Sequence, residues 1–127
     1  MLSFEQAREA LGEIADSLPR EIYDRLNGGV ILLPRSKRHP KGAGLYILGE
    51  YHYEPCGFGR YITLYYGSFL RVFGDIPDDK LIEELGATLR HELVHHLENL
   101  AGDDTLELED ARSIQRHKER FKRKKDK

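Results

Sequence analysis

The stretch between Pro77 and Gly102 constrains the fold more than any other, because it carries the longest helical periodicity in the chain. Leu81, Leu85, Leu89, Leu93, Leu97 and Leu100 recur at three- and four-residue steps with Ile82 beside them. At ~100° per residue they share one apolar arc. Asp78 or Asp79 can cap the start, and Gly102 is placed to stop the helix in a left-handed conformation. A helix over about 78–101 follows, and its apolar arc needs a core supplied by the rest of the chain. With 39% hydrophobic residues in 127, that core belongs to one domain.

The preceding residues offer suitable partners. Ser3 and Gln6 have capping-box spacing, and Phe4, Ala7, Leu11, Ile14 and Leu18 continue it as an amphipathic helix. Pro19 can open a short second helix carrying Ile22, Tyr23 and Leu26, ended by Asn27-Gly28-Gly29. Val30-Ile31-Leu32-Leu33 reads as a strand buried on both faces, stopped by Pro34 before a basic, turn-rich loop over 35–44. Leu45-Tyr46-Ile47-Leu48 and Tyr61–Tyr66 are the other strands, separated by a connection containing Glu54-Pro55-Cys56-Gly57. Ser68 can cap a brief helical turn through Phe73, and a polar helix is expected near 106–122. Three strands among helices predict an α+β fold with a small sheet.

Several classes are disfavoured. No apolar run approaches the ~20 residues of a membrane span, and the N-terminus is acidic and amphipathic, unlike a secretion signal. The single cysteine, Cys56, excludes an internal disulfide and a four-thiolate zinc site, which suits a reducing cytoplasm. Charge is uneven: residues 1–110 hold 11 Lys+Arg against 20 Asp+Glu, and residues 111–127 hold 9 against 2. The basic tail reads as a solvated helix end docking on an acidic body, with nucleic-acid association a lesser reading, because Phe121 is its one aromatic residue.

Chemistry enters at His91-Glu92-Leu93-Val94-His95-His96, which contains His-Glu-x-x-His. Positions four apart on a helix lie ~40° apart and one turn along the axis, so His91 and His95 can offer nitrogens to one metal ion with Glu92 beside them. Both fall off the leucine arc, whereas His96 falls inside it and reads as a core residue or a support for the ligands. By residue frequencies the pattern would arise by chance with an expectation of roughly 0.03. Two imidazoles and a carboxylate suit zinc with one position left for water.

A third ligand is needed from Glu98, Asp103, Asp104, Glu107, Glu109 or Asp110. Glu98 lies about 10 Å along the axis from His91 and suits a supporting role. A chain reversing at Gly102 regains that distance in about three residues plus the turn, which points to 105–107 and to Glu107. Glu107 could equally be the third residue of a capping box with Asp104; Asp103 and Asp110 are the alternatives.

With these residues in place, the chain resembles the small zincin-like metallopeptidases, minimal single-domain proteins of bacteria. The likeness spans roughly residues 4–110. It rests on the Phe4-Glu5 helix, Leu18-Pro19, Gly44-Leu45-Tyr46, Ile62-Thr63-Leu64-Tyr65 followed by Gly67, and the double histidine. It implies a zincin-like domain over 1–110, a short mixed sheet on helices with the motif helix beneath an edge strand, and a basic helical tail over 111–127. Members commonly carry a glycine three residues after the second ligand; here Glu98 stands there and the glycine comes at Gly102.

The resemblance implies zinc-dependent peptide hydrolysis, with His91, His95 and Glu107 as ligands and Glu92 as general base. The substrate would be a peptide or flexible protein segment added along the 61–66 strand, and the protein a cytoplasmic monomer. Tyr46, Tyr61, Tyr65, Tyr66 and His52 are candidate donors to the transition-state oxyanion. The competing expectations are an inactive binding module stabilised by its metal, and nucleic-acid binding through the tail.

Overall fold

The computed structural model describes residues 1–42 and 44–103. Helix α1, Phe4–Ser17, begins where the Ser3 hydroxyl accepts from Gln6 N–H and the Gln6 side chain accepts from Ser3 N–H. This reciprocal cap leaves Ala7 and Leu11 buried on the inner face. A 3-10 turn, Arg20–Tyr23, replaces the expected second helix and stops before Leu26. Three strands follow: β1, Gly29–Leu33; β2, Gly49–Glu54; and β3, Gly59–Tyr65. Helices α2, Tyr66–Phe73, and α3, Asp78–Asp103, complete an α+β fold with a mixed sheet.

The strand order is β1-β3-β2, with β1 parallel and β2 antiparallel to β3. Val30, Ile62 and Tyr51 align across the inner face, as do Leu32, Leu64 and Gly49. Against this face pack Ala7 and Leu11 of α1 and Leu81, Leu85, Leu89 and Leu93 of α3, with Phe69 and Leu26 closing the core. The leucine arc therefore meets the sheet, and each buried leucine contributes ~1.5–3 kcal/mol by leaving water.

Four expectations need correction. Leu45–Leu48 is not a strand: positive φ at Gly42 and Gly44 turns the chain, and only Tyr46 makes an isolated bridge, to Arg38. The strand starts at Gly49, in residues that alternate between polar and aromatic. Val30–Leu33 lies at a sheet edge, so Ile31 remains 41% exposed instead of being buried on both faces. The 61–66 segment falls in the central strand, paired on both sides, and has no edge for an incoming chain; Tyr66 already belongs to α2. Ser68 lies inside α2, which has no side-chain cap, and its hydroxyl accepts from Lys37 N–H at 2.9 Å.

The long helix also differs at both ends. Asp78 and Asp79 sit within its first turn, where carboxylates favour the positive end of the helix dipole, and Pro77 precedes them. Gly102 stays helical, so α3 reaches Asp103. Glu107, the other acidic candidates from Asp104 onward, the expected 106–122 helix and the basic tail lie outside the described residues. Among the described residues no helix is long and apolar enough to cross a membrane.

Candidate metal centre

The second half of α3 buries ionisable groups beside Leu93, Val94 and Leu100, whereas the first half buries leucines and Thr88. His91 and Glu92 are 6% and 3% exposed and His96 is fully buried. Their position off or on the leucine arc does not separate buried from exposed, because β2 and the loop before it cover a second side of α3. The close approach depends on Gly49: a Cβ there would lie 2.8 Å from Thr88 Cγ2 and 3.3 Å from Glu92 Cγ. A glycine at the start of β2 thus lets the strand lie directly against the motif.

His91 and His95 converge, their Nε2 atoms 3.2 Å apart. Glu92 faces both, its Oε2 lying 3.9 Å from His91 Nε2 and its Oε1 3.9 Å from His95 Nε2. One ligand atom from each of the three residues lies within 4.8 Å of the others, a group that could hold a metal ion. Two nitrogens bound at 2.0–2.1 Å in tetrahedral geometry lie about 3.4 Å apart, so the separation of the two imidazole nitrogens matches such an ion. On the far side of His95, Nδ1 lies 3.4 Å from Glu98 Oε1. That contact orients the ring from behind and leaves Nε2 toward His91.

His96 faces away from this group. Its Nε2–H donates to the Asp24 carbonyl at 2.8 Å, which leaves Nδ1 to accept from the Tyr51 hydroxyl at 2.8 Å. Burial holds this imidazole below its usual pKa, and the Arg60 and Arg25 charges add to that against the opposing Asp24 hydrogen bond. The ring is a neutral strut joining α3, β2 and the turn after the 3-10 segment. Tyr51 is a partner that the sequence does not single out, since its one signal is the two-residue alternation Gly49-x-Tyr51-x-Tyr53.

The candidate donors separate by position. Tyr46 and His52 line the same open cleft as His91, Glu92 and His95. Tyr61 donates to Glu54 and stacks on His52, Tyr66 donates to the Leu2 carbonyl, and Tyr65 donates to Glu50 at 2.6 Å. Lys37 Nζ shares that Glu50 oxygen at 2.7 Å. Burial alone would raise the Glu50 pKa, but the Lys37 and Tyr65 hydrogen bonds outweigh it and hold the carboxyl below its usual range. Lys37 is raised in return, mainly by its hydrogen bond to Glu50.

Fold and site together define a small α+β protein whose longest helix presents a His-Glu-His group, buried at His91 and Glu92 and half-buried at His95, to a cleft. A solved structure, described as a conserved hypothetical protein from T. thermophilus, is 38% identical, with 80% of this chain and 100% of that chain covered and a TM-score of 0.70. The chain belongs to the family of that protein. No protein-family model and no curated protein matches it.

Proposed function

We propose that the chain is a zinc-dependent metallopeptidase of the zincin-like kind, acting on peptides or flexible protein segments. The observation that carries this reading is the convergence of His91 and His95, Nε2 to Nε2 at 3.2 Å, with the Glu92 carboxylate against both. His91 and His95 would hold the ion, and Glu107 is the proposed third ligand from the segment beyond α3. Zinc, when bound, supplies Lewis-acid chemistry for water and for a scissile carbonyl.

The chain's own residues account for the proton. Glu92, buried and facing the cleft, accepts a proton from the attacking water as its oxygen bonds to the carbonyl carbon. It then delivers that proton to the amide nitrogen as the C–N bond breaks. His52 and Tyr46 are the remaining donors within reach of the cleft for the developing oxyanion. Substrate lies along β2 instead of β3. Tyr65 N–H donates to the Leu48 carbonyl at 2.9 Å, so Leu48, Glu50 and His52 form the rungs to β3. Gly49, Tyr51 and Tyr53 then direct their amide groups to the outer edge, where an extended peptide would add as a strand beside Glu92.

Two measurements test the reading. Elemental mass spectrometry of untagged protein is expected to find about one zinc per chain, and no uptake of added zinc would overturn the site. Glu92→Gln is expected to keep the metal and lose hydrolysis of a peptide library; hydrolysis at the wild-type rate would remove Glu92 from its role.

A further inference from the structure

The cleft is electrically divided. Glu92 and Glu98 line it from α3, while Glu50, which also lines it, is paired with Lys37. The wall beyond Gly49 is built from α2 and residues 34–48, a segment with four Lys+Arg and no Asp or Glu in an otherwise acidic body. Arg71 of α2 and His39 of the loop line the cleft at this end. The Arg71 guanidinium carbon lies 5.9 Å from the centre of the Tyr46 ring, and among the described residues no carboxylate reaches ion-pairing distance of it. His39 Nδ1 accepts the Lys41 backbone N–H at 3.1 Å, which leaves Nε2–H as a donor in the neutral ring. Leu45 and Val72, 53% and 46% exposed, give the same end an apolar footing.

This wall is built, not incidental. Lys37 N–H donates to Ser68 Oγ at 2.9 Å, and Ile47 N–H donates to the Lys37 carbonyl at 2.8 Å. Gly67 lets the loop press onto α2, since a Cβ there would lie 2.6 Å from Ser36 N. The loop is thereby fastened to the helix that carries Arg71.

We propose that Arg71 and His39, backed by Tyr46, form a carboxylate-binding subsite that selects peptides bearing a carboxylate at the end of the cleft beyond Gly49. The carboxylate comes from an acidic side chain or from the peptide's own C-terminus. The proposal rests on the peptidase reading above and adds the chemistry of the substrate. Arg71 offers a planar fork of donors that matches a carboxylate, and its place over Tyr46 limits the freedom lost on binding. Glu98 repels an anion placed nearer the motif, so the same charge also sets the register in which a peptide lies.

The test is binding to the zinc-loaded Glu92→Gln chain, followed by fluorescence anisotropy. The probes are a fluorescein-labelled alanine–leucine octapeptide amide, versions with Glu, Gln or Lys at each position in turn, and the unamidated octapeptide. Glu at one position, or the free C-terminus, is expected to tighten binding about tenfold over the matching neutral peptide, with Lys weakest. Which of the two does so identifies the source of the carboxylate. Adding Arg71→Gln is expected to bring the carboxylate peptide down to the neutral one, and Arg71→Lys to restore part of the gain. Equal binding of all the peptides would overturn the subsite while leaving the peptidase reading in place. No peptide binding at all would overturn both.

Discussion

The two halves of α3 share one helix and one sheet, yet only the second buries ionisable side chains. From Leu81 to Leu89 the buried side chains are leucines packed on Ile62 and Leu64, with Thr88 beside them, and every leucine buried favours the folded state. From His91 to His96 the buried set includes two imidazoles and a carboxylate, whose removal from water disfavours folding unless partners answer it. His96 is answered by Tyr51 and Asp24. The His91-Glu92-His95 group brings one ligand atom from each residue within 4.8 Å of the others, so a metal ion could add to what answers its burial there.

This contrast can be broken by substitution. Leu81→Ala is expected to cost about 2–5 kcal/mol in urea unfolding, by the same amount with and without zinc, because its cavity forms about 15 Å along the helix axis from His91. Zinc at a hundred times its Kd is expected to add about 2.7 kcal/mol to the wild type and nothing to a His91→Ala, His95→Ala double variant; equal gains would place the metal elsewhere. His96→Leu removes one hydrogen-bond partner each from Tyr51 and Asp24 and is expected to cost about 1–3 kcal/mol, with zinc content unchanged. A loss of zinc in that variant would show that the His96 strut is needed to hold His91 and His95 in place. Glu92→Leu is expected to stabilise the zinc-free chain by about 1 kcal/mol while abolishing hydrolysis, the signature of a residue kept for function.

The smallest effect lies on the outer sheet face. Glu50 titrates below its usual value when folded, so the unfolded chain binds the proton more readily and stability rises with pH across that interval. The contribution is complete above the ordinary carboxylate value, at pH ~4.5, and is lost as pH falls through the lower folded value. Urea midpoints measured between about pH 2 and 6 are expected to fall less steeply in Glu50→Gln than in the wild type.

What was legible in the sequence follows from the same contrast. α1, α3 and β3 announce themselves because a repeated apolar pattern or a cap leaves little choice, and the His91–His95 spacing fixes both nitrogens on one helix face. β2 was hidden: an edge strand with Glu50 and His52 on its outer face and Tyr51 on its inner face has no apolar run, whereas Leu45–Leu48 has one and forms a loop. Edge position likewise escaped Val30–Leu33, since a run of four apolar residues suits a central strand as well as an edge with Ile31 left in solvent. Tyr51, Arg71 and His39 reached the site through pairings distant in sequence, which no local spacing encodes.

Gly49 gives the cleft a mechanical property. The strand that would receive a peptide and the helix that carries Glu92 are separated there by the absence of a single carbon atom, so residue 49 acts as the thinnest spacer the chemistry of proteins allows. A methyl group at that point is a shim: Gly49→Ala would lift the cleft wall off its floor at the end nearest Glu92. Thr88→Ser, by removing the Cγ2 that the new methyl would strike, would let the wall settle again.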